Sequence, residues 1–505
     1  MVIDGASPRV DVAVVGFGPV GMATAALLGQ AGHSVLVLER YEGLYNLPRA
    51  AIFDDETMRT LAKLGLADAL LPKLRVQHSY EWRNGSGDLL IEQGYAETGR
   101  SGWAEWYSMY QPDLEEALDR FCQSSPTVQV RHSSPVTAVR QDADGVTLTV
   151  GDGEEVRARY VVACDGGNSF VRAALETGQQ DFGFSEPWMV CDFRFRRPTA
   201  VPPALQLGDP AGPTSIISLG PDHHRFSFML DSAEAFDTES APDKVWGRVA
   251  RYLTPEDADL IRVATYTFRS LVADSWRIGR VLLAGDAAHQ MPPFLGQGMC
   301  SGIRDAQNIA FKLDLVLDGR AGDELLDTYQ TEREPHVRAV IDKGIELGRT
   351  QTMRDPELAA ARDARLIARR VANDAPEKVR FPGLGPGLLH AGGGALSIQG
   401  VVADDRRKGR LDQVVGAGFH LLIRPALLPA VEPYLKALRE AGVAVAAPAE
   451  TGGTLPLVHD VNGTYGAWFD ELNADAVVER PDFYIYGTAS GTGVAELVKE
   501  LLAAL

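Results

Sequence analysis

Between Arg280 and Asn308 the chain reads Arg-Val-Leu-Leu-Ala-Gly-Asp-Ala-Ala-His-Gln-Met-Pro-Pro-Phe-Leu-Gly-Gln-Gly-Met-Cys-Ser-Gly-Ile-Arg-Asp-Ala-Gln-Asn. Val281 to Ala284 are an apolar run that predicts a buried strand, and Gly285-Asp286 ends it with a carboxylate in the crevice beyond the strand's carboxyl end. A carboxylate there holds sugar or ribityl hydroxyls. Pro292-Pro293 fixes two φ angles and removes two donors, which makes a stiff apolar wall, and Gly296, Gly298 and Gly302 let backbone pass close to a flat ring. Gly298 and Met299 then open a predicted helix with Ile303, Ala306, Ala310, Leu313 and Leu317 on its buried face. Its amino-terminal end presents unpaired N–H groups and the positive end of a dipole, which suits it to stabilising negative charge on a bound ring by about 0.3–2 kcal/mol.

Two further stretches share this grammar. The apolar run Val10 to Val15 leads into Gly16-Phe-Gly18-Pro-Val-Gly21 and a small-residue helix, and a second run, Ser34 to Leu38, ends in Glu39 and Arg40. Gly16 permits the tight turn, Gly18 the approach of a pyrophosphate and Gly21 the close packing of helix on strand, while Glu39 accepts hydrogen bonds from an adenosine ribose. The third stretch is a strand ending in Cys164-Asp165-Gly166-Gly167-Asn168-Ser169-Phe170-Val171-Arg172, again an acid followed by glycines and a helix start. Three chain-distant segments thus predict one dinucleotide slot.

The elements that must position these turns follow from periodicity. Residues 127–165 alternate apolar and polar positions and read as strands joined by Asp144-Gly145 and Gly151-Asp-Gly153. Met189 to Phe195, Thr214 to Leu219, Arg225 to Leu230 and Thr265 to Leu271 predict an antiparallel sheet over the dinucleotide domain, with His223 and His224 solvated in a hairpin turn. On it Phe226 and Phe228 share one face and Arg225 the other, and all three are candidate substrate contacts. Trp103, crowded with Trp106, Tyr107 and Tyr110, either lines a pocket for an aromatic substrate or packs as core. Arg49 either faces a bound cofactor or is a solvated loop residue. His289, beside the proline loop, suits a structural hydrogen bond better than general-base work. Beyond a glycine-rich stretch at 376–398, strands are expected at Gly418–Ile423, Val443–Ala447, Leu455–Val461 and Phe483–Tyr486, with a final helix from Gly493.

Composition bounds the rest. With 505 residues, 45% of them hydrophobic, the chain has material for two or three cores. A net charge of -19 argues against a nucleic-acid partner. Four scattered cysteines without a Cys-x-x-Cys indicate neither zinc nor a disulfide framework and fit a reducing cytoplasm. The first eight residues carry an acid and no basic apolar leader, and no run is long enough to span a bilayer, so neither a signal peptide nor a membrane partner is expected.

Taken together, the motifs from Gly16 to Glu39, Asp165 to Arg172 and Gly285 to Gly298 resemble the class A FAD-dependent aromatic hydroxylases over about residues 9–345. Pro48-Arg49-Ala50, Tyr110-Gln111-Pro112 and Pro292 to Asp305 are most similar to the branch of 3-(3-hydroxyphenyl)propionate and polyketide-tailoring hydroxylases. The resemblance implies an α/β fold: a discontinuous Rossmann-like FAD-binding domain (1–180 and 275–345), an antiparallel-sheet substrate domain (181–274), a helical connector (346–392) and a thioredoxin-like carboxyl-terminal domain (393–505), structural or in the contact of a homodimer. It implies FAD and NADPH or NADH as cofactors, and a small aromatic substrate and O2 as partners. The reaction it implies is hydroxylation of a phenol through a flavin C4a-hydroperoxide. The other readings are a Baeyer-Villiger or epoxidising oxygenase, or a flavin dehydrogenase. It further implies that Arg49 and Gln111 lie along the FAD, Asp286 holds the ribityl chain, Pro293 lines the reacting face, and Gly298 and Met299 offer backbone donors to the pyrimidine. One departure stands out: the phenol hydroxylase branch carries an aspartate where this chain has Ala51, so a catalytic base is left without an identity.

Overall fold

The structure, a computed structural model, describes residues 9–374 and 379–505. The readings of the first eight residues and of 376–378 lie outside them. Three large sheets organise the chain.

The first sheet forms because short β-branched runs are bounded by glycine and acid at their carboxyl ends. Its parallel centre runs Val281–Leu283, Glu154–Ala163, Arg9–Val15, Val35–Leu38, Val128–Arg131. In register, Val15 lies beside Ala163, and Ala163 beside Leu283. The three predicted turns therefore leave adjacent parallel strands at the same edge, which is where an open α/β sheet places its ligand. Val146–Val150 and Val136–Gln141 extend the sheet as an antiparallel hairpin.

The second sheet is antiparallel over most of its width, in the order His289–Gln290, Ala258–Ala273, Gln179–Phe195, His223–Met229, Thr214–Ser218, Ala204–Gly208, Ser79–Asn84, Leu89–Gly94. The hairpin at 79–94 joins it through a parallel pairing with Ala204–Gly208, so Leu89–Gly94 is the sheet edge. Period two separates its faces. Phe226 and Phe228 pack with Met189, Cys191, Phe193 and the Pro242–Val249 helix in a separate core on the outer face. Asp192, Arg225 and Arg262 are directly opposite one another across three strands and point inward. His223 and His224 are not a solvated turn. Both begin the 223–229 strand, His224 is buried with its Nε2 3.0 Å from Pro202 O, and desolvation pushes its pKa down to about 4, while His223 stacks on Tyr110 at 4.0 Å.

The helix Gly298–Leu317 runs through the middle of the molecule. The expected face is buried, but so are Arg304, Asp305, Gln307, Asn308 and Lys312, because the long helix Thr328–Gln351 and the carboxyl-terminal region cover its other sides. That region holds the third sheet, ordered Lys408–Arg410, Val401–Ala403, Leu457–Asp460, Val443–Ala449, Phe419–Ile423, Ala476–Glu479, Ile485–Ala489. Its strand Ala476–Glu479 was not among those expected from the sequence. The strand expected at Phe483–Tyr486 starts at Ile485, and the last helix runs Gly493–Ala504. Among the described residues no helix is long and apolar enough to cross a membrane.

Candidate active site

The three glycines of the first motif have different neighbours. A Cβ on Gly16, which sits at φ +98°, would meet Cys164 O at 2.5 Å, and one on Gly21 would meet Gly16 O at 2.1 Å. Both positions are glycine because the fold allows nothing larger. Gly18 is different: its φ of -85° suits any residue, and a Cβ there would meet no atom within 4 Å. Gly18 also begins the helix Pro19–Gln30 without a side-chain cap. An open, uncapped helix start whose glycine the protein itself does not require fits a phosphate lying against the backbone.

Glu39 is held beside this turn. Its Oε2 accepts from Phe17 N at 2.7 Å and its Oε1 from Tyr41 N at 2.9 Å, so the carboxylate is fixed at the end of its strand. Arg40 is exposed and lies over the Tyr41 ring at 4.8 Å. At the second turn Asp165 accepts from Ser169 Oγ at 2.5 Å and from Val171 N at 3.0 Å, and Arg172 ties the same loop to Ala287 O at 2.9 Å. Asp165 therefore shapes its own turn, and Arg172 links it to the loop that carries Asp286.

Asp286 opens to solvent at the strand end, yet protein crowds it closely. That crowding pushes its carboxyl above the usual range, while His289 and Arg49 pull it back. Pro292 is buried against the Thr328–Gln351 helix, 3.5 Å from where a Cβ on Gly344 would sit, whereas Pro293 is exposed. Gly296 takes a left-handed φ of +63° and packs on Ile52. Gly298 faces nearly open space, and Met299 is half-buried at a helix start that has no side-chain cap. Those amino-terminal N–H groups and the Gly18 turn belong to one sheet edge. The donor set fits FAD: acid for hydroxyls, open backbone for pyrophosphate and helix start for pyrimidine.

His289 is not presented to this cleft. It is 1% exposed and its Nε2 lies 2.6 Å from Asp305 Oδ2, whose carboxylate also accepts from Gly285 N at 3.1 Å and Arg333 Nε at 3.0 Å. The pair anchors the flavin loop from behind, which corrects any general-base reading of His289. Trp103 is likewise displaced: it is buried under Arg410 of the carboxyl-terminal region, whose guanidinium lies 3.4 Å from the ring centroid. Phe226 and Phe228, on the outer face, are not retained as substrate contacts, because the sheet itself stands between them and the cleft.

Arg225, by contrast, points to the inner face and braces the Pro48-Arg49 segment. It donates to both oxygens of Asp192, at 2.7 and 3.0 Å, and to the carbonyls of Pro48 and Arg49. Arg262 reaches Pro48 O and the Tyr266 hydroxyl and lies 3.5 Å from Asp192. Two buried guanidiniums against one carboxylate leave a net positive charge beside the Pro48-Arg49 segment. From the other side Gln111 Oε1 accepts from Arg49 N at 2.9 Å and Ala50 N at 2.6 Å, and the Arg49 guanidinium lies 4.5 Å from the Tyr45 ring centroid. Replacing Gln111 by leucine strands two part-buried N–H groups, at about 1–3 kcal/mol each. The expected result is a loss of FAD affinity of roughly tenfold or more with the overall fold retained, read by fluorescence titration of apoprotein.

Sequence reasoning missed the buried charges beneath the flavin loop. Arg304 donates to Asp54, to Glu56 at 2.6 Å and to Gln297 Oε1 at 2.8 Å, while Gln297 donates to Asp54 at 3.1 Å. Asp54 also caps the helix Asp55–Lys63, and Asp55 turns onto Ser101 N at 2.7 Å. Neither carboxylate therefore stands in for the one absent at Ala51. The capping aspartate followed by Glu56 was the visible sign; their partner lies some 250 residues on and gave none.

A family model described as FAD binding domain matches residues 9–344, and one described as HcaD C-terminal domain matches 394–504. A protein of Rhodococcus jostii (strain RHA1) described as a probable NADH-specific resorcinol 4-hydroxylase is 51% identical, over 98% of this chain and 95% of its own. A 3-(3-hydroxy-phenyl)propionate/3-hydroxycinnamic acid hydroxylase of Mycobacterium avium (strain 104) is 35% identical, over 98% of this chain and 91% of its own. The crystal structure of the flavin-dependent monooxygenase PieE superposes with a TM-score of 0.82 over 99% of both chains, at 23% identity, and so speaks for the fold alone. Curated hydroxylases that match nearly end to end, together with the FAD-binding model across all three turns, make this chain a member of the FAD-dependent aromatic hydroxylases, the flavoprotein monooxygenases.

Proposed function

We propose that this enzyme uses NADH and O2 to hydroxylate a small electron-rich phenol, with dihydroxybenzenes of the resorcinol type as the first substrate class to test. The observation that carries the reading is the convergence of Gly18, Asp165 and Asp286 on one edge of the first sheet, beneath the inner face of the second. The 51% identity to a protein described as an NADH-specific resorcinol 4-hydroxylase supports the choice of reductant and ring.

Bound FAD supplies the redox chemistry, taking electrons from NADH and passing one oxygen atom of O2 to the ring. The protein places and shields it. Glu39 would hold the adenosine ribose, Gly18 and its helix start the pyrophosphate, Asp286 the ribityl hydroxyls, and the amino-terminal N–H groups at Gly298 and Met299 the pyrimidine. Pro293 would form the wall of the reacting face. The net positive Asp192-Arg225-Arg262 cluster favours a phenol that binds with its oxygen ionised or nearly so, which supports electrophilic attack ortho to that oxygen without a carboxylate at Ala51. The carboxyl-terminal sheet is parallel at its centre and antiparallel toward both edges, and its Phe419–Ile423, Val443–Ala449, Ala476–Glu479 and Ile485–Ala489 strands support the thioredoxin-like assignment; with no cysteine after Cys300, its role there is structural or in subunit contact. A reducing cytoplasm suits the four free cysteines.

The test is a panel of substituted phenols offered to the purified yellow protein with NADH, following NADH oxidation, oxygen uptake and product mass. A phenol that stimulates both consumptions and gains one oxygen atom is expected. Stimulated NADH oxidation with no oxygen in any product would overturn the hydroxylase reading in favour of a dehydrogenase, and a lactone or epoxide in favour of the other oxygenases.

A further inference from the structure

The carboxyl-terminal region grips a loop that forms a wall beside the flavin loop. Residues 95–106 leave the second sheet at Tyr95 and end at Trp106, which begins the short strand Trp106–Ser108 paired with Ile52–Asp54; the Tyr95 and Trp106 rings are 5.8 Å apart. Trp106 in turn reaches the flavin loop: its ring edge lies 3.7 Å from where a Cβ on Gly296 would sit, next to Ile52. The loop is closed on itself by Ala96 N to the Glu105 carboxylate at 2.7 Å, Glu105 N to Ala96 O at 3.1 Å and Gly99 N to Trp103 O at 2.6 Å. A displacement at its tip is therefore carried to its ends rather than absorbed.

The tip is held from two sides: Asp55 accepts from Ser101 N at 2.7 Å, and the carboxyl-terminal region supplies the remaining contacts. Arg410 lies flat over Trp103 at 3.4 Å and donates through Nε to Gly102 O at 2.6 Å. Gly102, at φ +76°, approaches Gln399 so closely that a Cβ would meet Gln399 O at 2.6 Å. Arg100 adds a bond to Leu396 O at 2.8 Å and accepts one from Gln399 N at 2.9 Å. A planar guanidinium that stacks and donates at once fixes both the tilt and the depth of the ring beneath it.

We propose that Arg410 is a positioning residue for the oxygenation reaction: through the 95–106 loop it sets where Tyr95 and Trp106 stand, and so how closely the phenol's ring fits against the flavin loop. This rests on the hydroxylase reading.

Arg410→Ala and Arg410→Lys are compared with the wild-type holoenzyme, using the best phenol from the panel. For Arg410→Ala the expected result is unchanged FAD retention, KM for the phenol raised roughly tenfold with a smaller fall in kcat, and at least a twofold shift of consumed NADH from hydroxylated product to hydrogen peroxide. Arg410→Lys keeps the charge without the planar fork and is expected to recover only part of the coupling. Trp103→Phe, which keeps a ring in the same place, should move KM and peroxide release in the same direction and supplies the answer should Arg410→Ala not fold. Folded variants with wild-type KM and coupling overturn the proposal. A wild-type enzyme that hydroxylates no phenol at all instead overturns the reading on which it rests.

Discussion

Replacing Glu332 by alanine is expected to lower the stability of the folded chain by about 3–5 kcal/mol, because it removes one partner from a buried ionic hub. Glu332, on the Thr328–Gln351 helix, accepts from Lys312 Nζ at 2.8 Å, from Arg480 at 2.7 and 3.0 Å, from Asn308 at 2.8 Å and from Leu388 N at 2.7 Å. Glu332, Lys312 and Arg480 side chains are all fully inaccessible. One carboxylate thus joins the central helix to the carboxyl-terminal sheet. In the variant Arg480 keeps Asp482, but Lys312 loses its ion pair. Burial already brings the Lys312 ammonium down to about 8, so it would shed its proton near neutral pH, which keeps the cost within that range.

The pH dependence gives an independent check with a definite sign. Arg480 and Lys312 outweigh the burial that would raise it and hold the Glu332 carboxyl at about 2, below its ordinary 4.5. A depressed folded-state pKa contributes stability that is fully present above the unfolded value and is lost as pH falls through the folded one. The contribution is about 3 kcal/mol, in line with the mutational figure. Denaturant unfolding of the wild type should therefore weaken between about pH 4.5 and pH 2, and Glu332→Ala should show a shallower dependence across that window. Equal slopes for the two proteins would refute the assignment.

The second large effect concerns cofactor rather than fold. Gly18→Val should fold with only a small loss of stability, since its Cβ would meet no atom within 4 Å and the backbone there is extended. It should nevertheless weaken FAD binding at least a hundredfold, about 3 kcal/mol, by occupying the place of the pyrophosphate. Gly16→Ala makes the contrast: a left-handed φ and a 2.5 Å approach to Cys164 O oppose the fold itself. Flavin content and denaturant midpoint separate the cases. A Gly18→Val protein that retains FAD normally would show that the phosphate lies elsewhere.

Much of this site was legible from local pattern. An apolar run, a glycine and an acid describe a strand end in a handful of neighbouring residues, so Gly16, Gly18, Gly21, Glu39, Asp165 and Asp286 were readable without coordinates. The faces of the second sheet were legible as faces, Phe226 and Phe228 against Arg225, but not as inner and outer. Period two reports alternation and is blind to which side a helix will cover. The same limit hid the all-round burial of the Gly298–Leu317 helix: its polar residues look solvated until partners such as Glu332 and Asp54 arrive from distant parts of the chain.

The sequence by itself determined where the three glycine-and-acid strands of the first sheet end and which acids stand there, because these follow from residue patterns within a few positions. Tertiary structure alone decided that His289 belongs to Asp305, that Trp103 belongs to Arg410, and which guanidiniums share Asp192. A buried charge takes whichever opposite charge the fold brings within about 3 Å, and chain separation carries no trace of that choice.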